Sequence, residues 1–192
     1  MTISYYLGLD VSTSCTGWSI FTSTGYFIDM GKIELTKQKG MYQKADAVRD
    51  TLNDLHRSYS FNKIYIEENL QAFRPGLSSA KTLSTLSRFN GVVSLICYDI
   101  FKIEPCHLNV NAARKTLGIK LIRKNKGGAP TKEQVFTWVC NDLLAHATPV
   151  KWPRKTLKSG PRKGIEILDP GAYDMADAYV IAKAGLVSFN EH

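Results

Sequence analysis

Leu7-Gly8-Leu9-Asp10-Val11-Ser12-Thr13-Ser14-Cys15-Thr16-Gly17-Trp18-Ser19 sets a carboxylate at the end of an apolar run and follows it with small hydroxyl residues and a glycine. Tyr5 to Val11 reads as a short strand, and an acid at its end costs stability unless it is paired or binds an ion. Outward from it, Trp18–Thr22 and Tyr26–Ile33 read as two more strands, joined by the hairpin signal Ser23-Thr24-Gly25. Three strands joined by short turns meander antiparallel.

The remaining chain alternates differently. Ala45, Val48, Leu52 and Leu55 recur at steps of three and four, which predicts a helix over Met41–Tyr59. Lys63–Ile66 reads as a strand that delivers Glu67 and Glu68, turned to opposite faces. A long helix follows over Ser78–Phe101, apolar at Leu83, Leu86, Val93 and Ile96, in which Gly91 marks close packing or a small defect. Pro105–Val110 reads as a further strand and Asn111–Leu117 as a short helix. Thr131-Lys132-Glu133-Gln134 has the form of a capping box, continued as a helix by Val135, Val139, Leu143 and Leu144. Lys151–Gly164, with six basic residues, two prolines and two glycines, reads as a mobile loop, and the last helix spans Ala172–Val187. The expectation is one mixed α/β domain over residues 1–192 with an antiparallel start and no Rossmann glycine pattern.

Three of these elements carry acids. Asp10 follows one apolar strand and Glu67 ends another, Ile64-Tyr65-Ile66, while Asp174 and Asp177, spaced i, i+3, share one helix face. A strand-end acid alone is an ordinary turn former, and an acid early in a helix favours its dipole. Four together, at three suitable places, suit Mg²⁺, which takes hard oxygen ligands in octahedral geometry.

Charge supplies the context. Of 192 residues, 25 are Lys or Arg and 17 Asp or Glu, a formal net charge of +8. Thirteen of the basic residues fall between Val110 and Lys163, against only Glu133 and Asp142, so the rest of the chain is faintly acidic. A basic half of this kind predicts a polyanion laid across one face, since a merely solubilising surface would mix the signs. The hydrophobic fraction of 44% is that of a soluble globular protein, and no run approaches a membrane span. The start of the chain lacks a basic region before its apolar stretch, so no signal peptide is expected. Cys15, Cys97, Cys106 and Cys140 form no C-x-x-C pair and complete no zinc site. The reducing cytoplasm, of a bacterium or a phage-infected host, is the expected compartment.

The acidic motifs resemble those of RuvC-type Holliday junction resolvases. Leu7 to Ser19 is similar to that family's opening, Ile64-Tyr65-Ile66-Glu67-Glu68 to its strand ending in the catalytic Glu, and Asp174-Met175-Ala176-Asp177-Ala178 to its C-terminal D-x-x-D-A. Arg114 to Gly118 and Thr131 to Val135 resemble its two lysine-bearing segments. The resemblance implies an RNase H-like fold, a mixed central sheet flanked by helices. It also implies a homodimer that nicks two strands symmetrically across a four-way junction, by in-line attack of water that leaves 5′-phosphate and 3′-hydroxyl ends. Asp10, Glu67, Asp174 and Asp177 would hold two Mg²⁺ ions, with Mn²⁺ a substitute, and the principal ligand of the last pair stays open. Lys132, with Arg114 or Lys115, would contact the scissile region. Phe73, where the family has an aromatic residue, would stack on an unpaired base, or else makes an ordinary loop contact. Arg74, Lys120, Arg123, Lys124, Lys126, Lys151, Arg154, Lys155 and Lys158 would bind DNA backbone. The basic loops near 120–130 and 151–164 exceed the bacterial pattern, which points to a divergent, phage-type member with extra phosphate contacts that carry no sequence information.

Three other readings compete. An ATPase of the actin and sugar-kinase kind shares a phosphate loop after its first strand, but Val11 stands where that loop has glycine and no second phosphate motif follows. A catalytically silent DNA-binding protein would have no need of all four acids. An RNase H-like nuclease acting on flaps, other branched DNA or RNA–DNA hybrids shares the whole apparatus and stays open. For the dimer interface, the helix over Ser78–Phe101 is preferred to that over Met41–Tyr59.

Overall fold

The computed structural model describes residues 3–68, 79–146 and 149–190. Strands β1 (Tyr5–Val11), β2 (Cys15–Thr22) and β3 (Phe27–Glu34) form the antiparallel meander. Helix α1 (Met41–Ser58) crosses to β4 (Phe61–Glu67), which pairs parallel to β1, and α2 (Ala80–Phe101) crosses to β5 (Cys106–Leu108), parallel to β4. The sheet order is β3-β2-β1-β4-β5. Then come α3 (Val110–Thr116), α4 (Thr131–Ala145), a hairpin of β6 (Arg154–Thr156) and β7 (Glu166–Leu168), and α5 (Gly171–Asn190).

The strand period of two decides what each face meets. Leu7, Leu9 and Val11 of β1 and Ile64 and Ile66 of β4 join one core with Val48 and Leu52 of α1 and Phe89, Val93 and Ile96 of α2. Tyr6 and Tyr65 join a second core on the other face, with Val135 and Val139 of α4 and Met175, Tyr179 and Ile181 of α5. Asp10 and Glu67 share the parity of Tyr6 and Tyr65, so the alternation that fills the cores aims both acids at α5. In α5, Ala176, Ala178 and Ala182 are wholly buried, and small residues let it lie close on the sheet. A Cβ on Gly8 would stand 2.5 Å from the Ala182 Cβ, and one on Gly17 only 2.0 Å from the Asp174 carbonyl oxygen.

The expected mixed α/β architecture with three antiparallel first strands is observed, with differences in detail, among them a β5 of Cys106–Leu108 in place of the expected Pro105–Val110, since Val110 opens α3. Strand β2 begins at Cys15, three residues before Trp18, because pairing with β1 (Asp10 with Gly17, Val11 with Thr16) overrides the weak strand propensity of Gly17. The capping box is absent: Pro130 holds the cap position of α4, and Gln134 turns instead to the loop, donating to the Ile122 and Ala129 carbonyls and accepting from the Ile122 amide. Residues 151–164 are not simply a loop, since Arg154–Thr156 pairs antiparallel with Glu166–Leu168. The hairpin is anchored by Trp152, packed at a tilt against Phe136 of α4 with ring centroids 4.6 Å apart; Phe136 in turn meets Tyr173 of α5 at 5.6 Å. Finally, no atom of the described residues lies within 4 Å of a would-be Cβ on Gly91, so among them it is a helix defect and not a packing site.

Candidate active site

The turn after β1 is closed locally. The Ser12 hydroxyl donates to the Cys15 carbonyl at 2.7 Å and accepts from the Cys15 amide at 3.2 Å, and Lys44 of α1 donates to the Thr13 carbonyl. This returns the chain so that Gly17 pairs with Asp10 and slides beneath the start of α5. Gly8 pairs with Tyr65, and two residues further along these parallel strands stand Asp10 and Glu67. The Glu67 carbonyl is held by the buried Asn90 amide of α2 at 3.1 Å. The start of α5 is fixed by Asp169, which accepts from the Gly171 amide at 2.8 Å and from Lys32 of β3 at 2.6 Å. Asp174 and Asp177 are thereby presented over Asp10 and Glu67.

The four acids feel one another. Asp10 is raised well above the usual carboxylate range by burial, then by the charges of Glu67, Asp177 and Asp174. Glu67 is raised to about 7, by burial first and then by Asp177, against the pull of Arg114 and Lys132. Asp177 is raised as well, by burial, although Arg114 and Lys132 oppose it. Among the described residues, two of the four have a cation in contact: Arg114 of α3 donates to Asp177 at 3.1 Å, and Lys132 of α4 to Asp174 at 3.2 Å. Lys132 is half enclosed, which disfavours its charge, but Asp174, Asp10 and Asp177 outweigh this and raise its pKa. Among the described residues no side-chain donor reaches the carboxylates of Asp10 or Glu67.

Two cations against four clustered carboxylates leave an excess of partly buried negative charge, and the donors are all hard oxygens. That fits divalent cations of the Mg²⁺ kind. As the side chains stand, no three acids, histidines or cysteines among the described residues converge to ligate one ion. Asp174 and Asp177 are instead turned to Lys132 and Arg114.

The predicted DNA-contacting residues fall into groups. Lys115 and Lys120, both exposed, edge a cavity of about 330 Å³ that Arg114 also lines. Arg123 precedes a 3-10 turn over Lys124–Lys126, exposed on the loop that Gln134 fastens to α4. Lys151, Arg154, Lys155 and Lys158 are exposed along the hairpin, Arg154 paired at 2.9 Å with Glu166. Phe73 and Arg74 lie outside the described residues. Sequence reading missed Asn90 and the Lys32–Asp169 pair, and assigned Gln134 a capping role in place of its loop contacts. Only Asp169-Pro170-Gly171 ahead of the last helix carried a visible signal, that of a helix start.

No protein-family model matches the chain, and no curated protein matches it in sequence. Solved structures do. Thermus thermophilus RuvC in complex with a Holliday junction substrate superposes with a TM-score of 0.64 at 13% identity, covering 98% of this chain and 96% of that one. A second Thermus thermophilus RuvC structure gives 0.58 at 14% identity, covering 97% and 96%. The yeast mitochondrial Holliday junction resolvase gives 0.54 at 13% identity, covering 96% of this chain and 78% of the other. The fold is therefore RNase H-like, in the form that RuvC has.

Proposed function

We propose that this chain is a structure-selective endonuclease that resolves four-way DNA junctions by paired symmetric nicks. The observation that carries the reading is the gathering of Asp10, Glu67, Asp174 and Asp177 from β1, β4 and α5 at one end of the sheet, with Lys132 and Arg114 alongside. These acids would hold two Mg²⁺ or Mn²⁺ ions, which when bound supply the Lewis acidity that activates water and stabilises the leaving oxygen.

The chain's own residues position the strand. Lys132, 59% exposed at its side chain and anchored on Asp174, can turn its ammonium to the scissile phosphate. Lys115, Lys120 and the exposed cations of the two basic segments hold flanking phosphates, so affinity falls steeply with salt. Phe73 and Arg74, in the segment after Glu67, take the stacking and backbone roles at the crossover. A branched substrate is favoured because a RuvC of the same fold was solved on a Holliday junction. Paired nicking needs two copies, and α2 offers the face: Leu95 and Tyr98 are 59% and 50% exposed. No helix among the described residues is long and apolar enough to cross a membrane.

The test is a comparison of a synthetic four-way junction, a flap and an RNA–DNA hybrid, each with Mg²⁺ and with EDTA. Symmetric paired nicks confined to the junction support resolution. Equal or faster cutting of the flap or hybrid assigns the same apparatus to another RNase H-like nuclease activity.

A further inference from the structure

Arg114 stands in a position that a permanent structural ion pair does not explain. Its side chain is 14% exposed and that of Asp177 is 7%, so the pair is largely removed from water. Yet the contact is made through one terminal nitrogen, at 3.1 Å, without the second parallel bond that guanidinium and carboxylate can form. The Arg114 Nε is buried and has no hydrogen-bond partner among the described residues. A buried donor left unmade costs stability, so this arginine is held by the charge of the acids and one hydrogen bond, with its remaining donor capacity at Nε unfilled. Beside it lies the cavity of about 330 Å³, edged by Lys115, Lys120 and Asn111, with room for the guanidinium and a cationic rim that suits a phosphate.

We infer that Arg114 is the resident counter-ion of the acid cluster: it holds Asp177 in the ion-free protein, divalent ions compete with it for that carboxylate, and the released guanidinium passes into the adjoining cavity. The inference rests on the metal-site reading proposed above and adds a competition to it. It explains why four acids that would otherwise repel one another can fold together before any ion arrives. It also accounts for Asp177 being engaged by Arg114 in a chain with ligands enough for two ions. A protein whose ligand is occupied by its own cation binds an external cation with an affinity reduced by the fraction of free sites. In the cavity, the guanidinium gains an anionic acceptor when a DNA phosphate is present, so ion binding and strand binding favour each other.

Calorimetric titration of Mn²⁺ into wild-type protein, Arg114→Gln and Asp10→Asn, without DNA, tests this. Competition predicts that Arg114→Gln binds Mn²⁺ about tenfold more tightly than wild type, while Asp10→Asn binds more weakly. A buttress role for Arg114, preorganising Asp177 as a ligand, predicts weaker binding by Arg114→Gln. That result, or unchanged affinity, overturns the inference and leaves the metal site standing. No Mn²⁺ binding by wild type overturns both. Should Arg114→Gln not fold, the wild-type protein still decides: the Arg114 Nε–H resonance, assigned through Arg114→Lys, is expected to shift and to exchange faster with water on addition of Mg²⁺. An unmoved, protected resonance at saturating Mg²⁺ contradicts the release.

Discussion

Gly17 lies directly beneath the Asp174 carbonyl, so close that a Cβ would stand 2.0 Å from that oxygen, and on its own strand pair it is the partner of Asp10. One residue without a side chain thus sets the distance between the acid of β1 and the first acid of α5. The hydroxyl turn before it and the helix above it are both shaped by that approach.

Gly17→Ala is expected to lift the start of α5 and to destabilise the protein by about 1–3 kcal/mol, the usual range for overpacking. Gly91→Ala, the same chemical change where none of the described residues crowds the new methyl, is expected to stabilise by roughly 0.5–1 kcal/mol as a helix-interior glycine replaced. Urea denaturation of both variants reads the two signs. A neutral Gly17→Ala means that α5 does not rest on β2 as described.

Stability of the ion-free protein should rise as pH falls from about 7 toward 4.5. Glu67 has its folded pKa raised to about 7 from 4.5, and Asp10 is raised as well. The folded state then binds more protons than the unfolded one through that window, which makes the slope of unfolding free energy with pH negative. Thermal melts in EDTA across pH 5–8 measure it. Saturating Mg²⁺ should flatten or reverse the trend, because an ion favours the ionised carboxylates. A melting temperature that rises with pH in EDTA contradicts the clustering of these acids.

Much of this site was readable from the chain because its determinants are local. An acid ending an apolar strand, twice, and two acids one helical turn apart are patterns of period two and period 3.6. The same periods place Asp10 and Glu67 on the α5 face. What pairs with what was not readable: Arg114 meets Asp177 across 63 positions, and nothing in Arg114-Lys115 says which of the two turns inward. The β6–β7 pairing was hidden because Arg154-Lys155-Thr156 has no alternation of polar and apolar residues, and its stem is held by Trp152 on Phe136. Thr131-Lys132-Glu133-Gln134 misled for a related reason. The motif has the right letters, but Gln134 gains three hydrogen bonds from the loop around Ile122 that a helix cap could not match.

Lys132→Met removes a cation that touches Asp174 without being part of the packed core. Junction cleavage should slow about a hundredfold or more, the scale of losing one preorganised charge at a reacting centre, with junction affinity nearly unchanged. Single-turnover rates and a binding isotherm separate the two effects. A loss confined to affinity would make Lys132 a plain backbone contact.

The hairpin carries Lys158, Arg162 and Lys163 at its exposed tip, beyond the paired residues. Replacing all three by glutamine should leave the fold and the low-salt cleavage rate intact. Removing one cation from a phosphate makes the slope of log affinity against log salt shallower by ~0.9, so a change of ~2–3 is expected for the three together. An unchanged slope would mean that the hairpin does not reach the DNA.

That Asp10, Glu67, Asp174 and Asp177 form one ion-dependent cutting site is tested most directly by cleavage of a labelled four-way junction. Wild type and Asp10→Asn are compared, in Mg²⁺ and in EDTA. The expected result is paired nicks with 5′-phosphate ends from wild type in Mg²⁺ alone, and none from Asp10→Asn although it melts as a folded protein. Cleavage in EDTA, or undiminished cleavage by Asp10→Asn, would contradict it.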